Sequence, residues 1–124
     1  MDDAAPVILV IEDEGAIADL LRSLLEEEGY AVIVAPNGRE GLRRLREEKR
    51  VDLVMSDLMM PQVDGREVAR TMRAEPGYDH IPLVLMSSMA AGAVRTVPHT
   101  EFLPKPFALD TLFALVARLL GDAP

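Results

Sequence analysis

The chain has 124 residues, of which 49% are hydrophobic and 27% charged, so it is long enough for one domain with its own core and too short for two. Its 21 acidic residues outnumber the 13 basic ones, and the net charge of −8 argues against nucleic acid as a direct ligand, because clustered Lys and Arg bind phosphate backbones. Cysteine is absent, so we expect no disulfides. No segment resembles a targeting signal or the roughly 20 apolar residues of a membrane span. We therefore expect one cytoplasmic domain, residues 1–124, without membrane contact.

The first predicted unit is a strand followed by a helix. The largely β-branched run Val7–Ile11 is typical of a strand buried on both faces of a parallel sheet. Apolar residues then recur at the spacing of one helix face, at Ile17, Leu20, Leu21, Leu24 and Leu25. Gly29 lies just beyond this stripe and predicts the end of the helix.

The same unit recurs in the next part of the chain. Residues 31–35 predict a second strand, and the Pro-Asn-Gly sequence at 36–38 predicts a turn. The strongly charged segment 39–49 predicts a helix that directs Leu42 and Leu45 inward.

A third strand is predicted at residues 51–56 and leads directly to Asp57. Pro61 and Gly65 mark the loop that follows. The next helix has a buried stripe formed by Val68, Ala69 and Met72.

Two more strands and a closing helix complete the chain. The strands are predicted at residues 82–86 and 101–103. The closing helix has an apolar stripe at Leu109, Leu112, Phe113, Val116 and Leu120. Leu115 and Leu119 lie beyond this stripe, where they indicate either a dimer or partner face or ordinary exposed leucines.

Five strands that alternate with helices predict an α/β fold, a doubly wound parallel sheet with right-handed crossovers and helices on both faces. In such sheets ligands bind outside the carboxyl ends of the strands. The residues at these ends are Glu12 and Asp13 after the first strand, Asp57 after the third, Ser87 and Ser88 after the fourth, and Lys105 after the fifth.

These side chains together favour phosphoryl transfer. Converging carboxylates repel one another, by about 4 kcal/mol for two unit charges about 4 Å apart at an effective dielectric constant of about 20. Mg²⁺, a hard ion that prefers oxygen ligands, compensates this repulsion and leaves room for a phosphate. A carboxylate can itself accept a phosphoryl group, and Lys105 supplies a second positive charge.

The segment Asp-Leu-Met-Met-Pro-Gln-Val-Asp-Gly at residues 57–65 resembles the phosphorylation loop of bacterial two-component response regulator receiver domains. Other motifs of that family match in order at Glu12–Asp13, Ser87, Phe102 and Lys105–Pro106. The resemblance covers residues 7–120. It implies the flavodoxin-like receiver fold, with a five-stranded sheet in the order 2-1-3-4-5.

The resemblance also implies a magnesium-dependent phosphoacceptor site. Asp57 would accept the phosphoryl group and, with Asp13, would bind Mg²⁺ directly. The backbone carbonyl of Met59 would be a further ligand, and Glu12 would assist through water. Lys105 would pair with the phosphate.

A switch is implied beside this site. Ser87 would bond the phosphoryl oxygen in the active state, and Phe102 would change rotamer behind it. Lys105–Pro106 would be a cis peptide, a geometry largely confined to X-Pro bonds.

Single positions leave alternatives open. Either Ser87 or Ser88 would equally well cap a following helix, and an error of one residue in the strand reverses which of them faces the site; we favour Ser87. Met59 and Met89 match two variable positions that flank the phosphoryl group in relatives. Because a thioether orients an attacking water poorly, they predict slow autodephosphorylation.

The segment between Ser87 and Lys105 departs from the family pattern. It is about one helical turn shorter than is usual, and Gly92 and Pro98 are poor helix residues. The fourth helix should therefore be shortened or atypical. We then expect the phosphorylation signal to reach a partner by a route that is unusual for this family.

The sequence therefore predicts a phosphorylation switch rather than a turnover enzyme. A histidine kinase, a phosphotransfer protein or a small acyl phosphate would donate to Asp57, and a downstream protein would read the change. No output domain follows Leu120, so we expect a stand-alone regulator or one piece of a longer protein. One alternative is an interaction module that works without phosphorylation. The other is a metal-dependent phosphatase, which would need a second carboxylate as general acid close to Asp57; Met59 occupies that position and argues against this alternative.

Overall fold

The computed structural model describes residues 5–121, so the predicted domain limits at residues 1 and 124 lie outside it. Within that range five strands alternate with four α-helices and one 3-10 turn. The strands are β1 (Val7–Ile11), β2 (Ala31–Ala35), β3 (Leu53–Asp57), β4 (Leu83–Ser87) and β5 (Glu101–Pro104). The helices are α1 (Gly15–Glu27), α2 (Gly38–Glu47), α3 (Gly65–Ala74) and α4 (Leu109–Leu119).

All strand pairs are parallel and the strand order is β2-β1-β3-β4-β5, so the predicted α/β fold is confirmed. The chain leaves β1 toward one edge to form β2 and returns to the other side of β1 to form β3. The strand order therefore reverses between β1 and β3, and their carboxyl ends border the same crevice.

The sheet separates two apolar layers. The α3 layer lies on the side of α2 and α3 and contains Leu9, Ile11, Val54, Leu83, Leu85, Val68, Ala69 and Met72. The α1 layer lies on the side of α1 and α4 and contains Ile8, Val10, Met55, Val84, Met86, Leu25, Leu112 and Val116. Successive strand residues alternate between the layers because side chains in a strand point to opposite faces.

Burial on the helices differs from the predicted stripes at three leucines. Leu20 and Leu109 are 57% and 45% exposed, whereas Leu115 is only 8% exposed. The core contacts only the centre of the wide stripe on α1, and Leu20 lies at its margin. On α4 the buried line runs through Leu112 and Leu115, so the prediction of Leu115 as added surface was wrong.

Two strand boundaries also differ from prediction. β3 begins at Leu53 rather than residue 51. The Asp52 N–H donates to the Val7 carbonyl at 2.8 Å, but the Val7 N–H donates to the Asp52 side chain at 2.8 Å and not to a strand carbonyl. β4 begins at Leu83 rather than residue 82, because Pro82 has no N–H and contributes only its carbonyl, which accepts from Val54.

The segment between β4 and β5 contains no α-helix in the described chain. It holds only a 3-10 turn at Ala91–Val94, which confirms the prediction that the fourth helix is shortened or atypical. Val94 and Val97 are buried and fill the α3 layer where a helix face would otherwise pack. Among residues 5–121, no helix is long and apolar enough to cross a membrane.

Candidate functional site

Three carboxylates meet where the strand order reverses. Glu12 and Asp13 follow β1 directly, and Asp57 is the last residue of β3. One oxygen from each lies within 4.8 Å of the others. Glu12 and Asp57 are buried, whereas Asp13 is exposed. The N–H of Glu12 donates to the carbonyl of Ala35 at 3.0 Å, so backbone bonding to β2 holds Glu12 in place.

Lys105 brings a positive charge to this cluster. Its Nζ lies 2.9 Å from Asp57 Oδ1 and 3.3 Å from Glu12 Oε1. Its backbone N–H donates to the carbonyl of Ser87 at 2.8 Å, and the Lys105–Pro106 peptide bond is cis. The structure therefore joins the ammonium after β5 to the carboxylates after β1 and β3.

Burial and neighbouring charge both act on the ionisable groups of the cluster. Burial raises the pKa of Glu12, although the N–H of Glu14, which donates to Glu12 Oε2 at 3.2 Å, partly offsets this. Burial alone would lower the pKa of Lys105, but the hydrogen bond and charge of Asp57, together with Glu12, outweigh burial and raise it. Lys105 is therefore charged at neutral pH and places one positive charge beside the three carboxyl groups.

This donor set fits a small divalent cation. Mg²⁺ binds oxygen ligands at about 2.0–2.1 Å, so two oxygens on opposite sides of the ion are about 4 Å apart. The oxygens of Glu12, Asp13 and Asp57 span no more than 4.8 Å, which is close to that separation. A carboxylate that stays slightly too distant for direct bonding remains within reach through a water ligand.

Ser87 is the buried hydroxyl at this rim. It ends β4 with 4% of its surface exposed, and its Oγ accepts the N–H of Met89 at 3.0 Å. Ser88 is exposed. Ser87 still has a hydroxyl hydrogen to donate, because the bond from Met89 uses only an acceptor position.

Phe102 lies in β5 opposite Leu85 of β4 and is half-buried. It packs against the α3 layer and also lines a surface cavity of about 610 Å³ between β5 and α4. Phe102 is therefore packed against the core and partly exposed at the edge of the sheet.

The loop after Asp57 is held by hydrogen bonds within the loop and to the first residues of α3. Asp64 caps α3 by accepting the N–H groups of Arg66 and Glu67. Gln62 has φ 64°, a left-handed conformation that costs a residue with a side chain roughly 1–2 kcal/mol. Met59, 54% exposed, lies with its sulfur 3.9 Å from Arg66 Nη1.

Ser56 supports the site, although no motif or spacing pattern in the sequence points to it. It is fully buried, and its Oγ donates to the carbonyl of Asp57 at 2.9 Å. The available signal was a lone hydroxyl in an apolar strand, directly before the candidate phosphoacceptor.

Gly65 begins α3 in close contact with the same part of the backbone. A Cβ atom there would lie 2.7 Å from the carbonyl oxygen of Asp57 and 2.9 Å from Leu58 Cα. Both neighbours are backbone atoms, so Gly65→Ala should lower the free energy of unfolding by about 1–3 kcal/mol through overpacking. Chemical denaturation measures this loss.

The matched control is Gly15→Ala at the start of α1, where an added Cβ has no neighbour within 4 Å. That change should be neutral or stabilising, because alanine is a better helix residue than glycine. Equal destabilisation at both glycines would contradict the close-contact explanation.

Residues 8–117 match the response regulator receiver domain family. A probable transcriptional regulatory protein of Picosynechococcus sp. is 38% identical to the chain, and the match covers 91% of this chain and 48% of that protein. The chain spans about half the length of the curated relatives it matches.

Solved structures show the same architecture. The signal receiver domain of a signal transduction histidine kinase from Syntrophus aciditrophicus is 34% identical, with a TM-score of 0.88 over 96% of this chain and 92% of that one. The response regulator TrrA from Thermotoga maritima, solved in complex with Mg²⁺-BeF, is 33% identical, with a TM-score of 0.82 over 93% and 99%.

Proposed function

The chain belongs to the response regulator receiver domain family, and from this we propose that Asp57 is its phosphoacceptor. Receiver domains of this family are signalling proteins of two-component systems rather than turnover enzymes. The observation that carries the proposal is the ion pair between Lys105 Nζ and Asp57 Oδ1, 2.9 Å apart, beside the carboxylates of Glu12 and Asp13. We also propose that residues 1–124 form a single receiver domain.

In the proposed reaction a carboxylate oxygen of Asp57 attacks the phosphorus of a phosphohistidine or of a small acyl phosphate. A bond forms between this oxygen and phosphorus while the bond from phosphorus to the donor atom breaks. The donor leaves as an imidazole, which takes up a proton, or as a carboxylate. Lys105 lies beside Asp57 and offsets the negative charge that gathers there.

The acidic cluster would hold Mg²⁺ during this reaction. Asp13, Asp57 and the backbone carbonyl of Met59 would be direct ligands, and Glu12 would act through water. When bound, the ion would neutralise charge on the transferring phosphoryl group. The oxygen donors within 4.8 Å of one another support this assignment.

The response to phosphorylation would begin at Ser87. Its hydroxyl would donate to the phosphoryl oxygen, and Phe102, which lies opposite Leu85 on the neighbouring strand, would change rotamer. A downstream effector protein would then bind the altered surface. A histidine kinase or phosphotransfer protein would supply the phosphoryl group in the cell.

Intact mass after incubation with Mg²⁺ and acetyl phosphate tests the proposal. The wild type should gain one phosphoryl group, and Asp57→Asn should gain none.

Met59 should limit hydrolysis of the phosphorylated form. Its thioether is exposed near the site and positions no attacking water, so the phosphorylated wild type should persist much longer than seconds. Met59→Asn supplies a hydrogen-bonding amide and should speed dephosphorylation by about two- to tenfold, the value of one hydrogen bond. Loss of the phosphorylated mass with time gives both rates.

Met59→Leu is the matched control, since leucine is similar in size and equally unable to bond water. It should keep the wild-type rate. A wild-type half-life of seconds, or acceleration by leucine as large as by asparagine, would show that water positioning at residue 59 does not limit hydrolysis.

A further inference from the structure

Ser56 is a buried polar group that the proposed reaction does not use. No part of its surface is exposed, although its strand neighbours Val54 and Met55 are apolar core residues. Its hydroxyl donates a hydrogen bond from Oγ to the carbonyl of Asp57 at 2.9 Å. A buried hydroxyl is costly unless it is bonded, so this bond accounts for the presence of a serine in the core.

The hydroxyl cannot reach the reacting atoms. Successive side chains of a strand point to opposite faces, so Ser56 shares the face of Val54 in the α3 layer, whereas Asp57 shares the opposite face. Any influence of Ser56 on chemistry must therefore pass through the backbone of Asp57.

The Asp57 carbonyl lies at the point where β3 ends and the loop begins. The next N–H, of Leu58, donates to Met86 O at 2.8 Å, and the carbonyl of Leu58 accepts from Gly65 at 2.9 Å. Gly65 also approaches the Asp57 carbonyl so closely that no Cβ would fit. The Ser56 hydroxyl adds a bond to the Asp57 carbonyl itself.

We propose that Ser56 is a positioning residue for the phosphoacceptor, whose hydroxyl orients the backbone of Asp57 and thereby directs its carboxylate toward Lys105 and the incoming phosphorus. The inference rests on the proposed function of Asp57. Orientation matters here because small displacements of reacting groups reduce rates strongly.

The test measures the rate constant for phosphorylation by acetyl phosphate at saturating Mg²⁺, at a temperature at which each variant is folded. Ser56→Ala removes the hydroxyl, and Ser56→Cys fills the same space with a much weaker donor. Both should react about two- to tenfold more slowly than the wild type, which is the rate factor that corresponds to the free energy of one hydrogen bond.

The control is Val54→Ala, which creates a cavity two residues earlier on the same face and leaves the bond to Asp57 intact. Val54→Ala should lower the melting temperature and keep the wild-type rate constant. If Ser56 had only a structural role, Ser56→Ala would give this same result. If Ser56→Ala does not fold, the isosteric Ser56→Cys carries the measurement.

Three results would overturn the inference. One is a wild-type rate constant in the Ser56 variants, and another is equal slowing by Val54→Ala, which would make the effect a consequence of lost stability. In both cases the wild type is phosphorylated and Asp57 keeps its proposed role. A wild type that gains no phosphate would overturn the function and this inference together.

Discussion

Asp57→Asn is expected to abolish uptake of the phosphoryl group from acetyl phosphate. The asparagine amide has nearly the shape of the carboxylate, and its oxygen can still accept a hydrogen bond from Lys105, but it lacks the anionic oxygen that would attack phosphorus. The loss should be complete at the detection limit of intact mass spectrometry. Fragment masses of the wild type should place the added phosphoryl group on residue 57.

Asp64→Asn is the matched control in the same loop. Asp64 caps α3, and asparagine is an equally good cap, so this variant should fold and gain phosphate like the wild type. Phosphate on both the wild type and Asp57→Asn, or on neither, would refute the assignment of Asp57. A wild type that binds its partner without gaining phosphate would favour the interaction module instead.

Mg²⁺ is expected to stabilise the wild type strongly and Asp13→Asn hardly at all. A ligand that binds only the folded state adds about 2.7 kcal/mol to the free energy of unfolding at a hundred times its dissociation constant. Without Mg²⁺ we expect Asp13→Asn to have the larger free energy of unfolding. The variant has lost one of three crowded carboxylates, whose repulsion in a solvated site is worth about 1 kcal/mol. Urea denaturation with and without Mg²⁺, at constant ionic strength, measures both differences.

Asp19→Asn, at an exposed position of α1, controls for the change in net charge. It should respond to Mg²⁺ like the wild type. Equal stabilisation of the wild type and Asp13→Asn by Mg²⁺ would remove Asp13 from the metal site, and a less stable Asp13→Asn in the absence of Mg²⁺ would show that repulsion does not dominate there.

The order of elements could be predicted because local patterns decide it. The β-branched run Val7–Ile11 is buried on both sides, and Gly29 ends the first helix with φ 97°. The absence of a helix after Ser87 also follows from local composition, since Gly92 and Pro98 disfavour helix formation. The strand order 2-1-3-4-5 came from the family resemblance and is confirmed by the parallel pairing of β1 with β2 and β3.

The composition of the site could be predicted from the strand ends, but its distances could not. A parallel sheet brings the ends of β1 and β3 to one rim, which is why Glu12 and Asp57 meet. The choice between Ser87 and Ser88 needed the exact end of the fourth strand: β4 ends at Ser87, which is buried, whereas Ser88 lies beyond the strand and is exposed. Ser56 was missed because its role depends on a bond to the backbone, which no spacing pattern reveals.

Helix burial was the least predictable feature, because it depends on how each helix is rotated against the sheet. Leu20 and Leu115 both belong to apolar helix faces, yet one is exposed and the other buried. Periodicity gives the direction of a face and leaves its width undetermined.

The two edges of the sheet differ in their tendency to pair with other molecules. β5 contains a charged residue and a proline, Glu101 and Pro104, both of which discourage further strand pairing. β2 reads Ala-Val-Ile-Val-Ala, pairs with no strand other than β1 among residues 5–121, and contains neither a charge nor a proline. If α1 or α2 detaches during partial unfolding, β2 becomes an apolar template for aggregation, so conditions that loosen these helices should precipitate the protein before it unfolds completely.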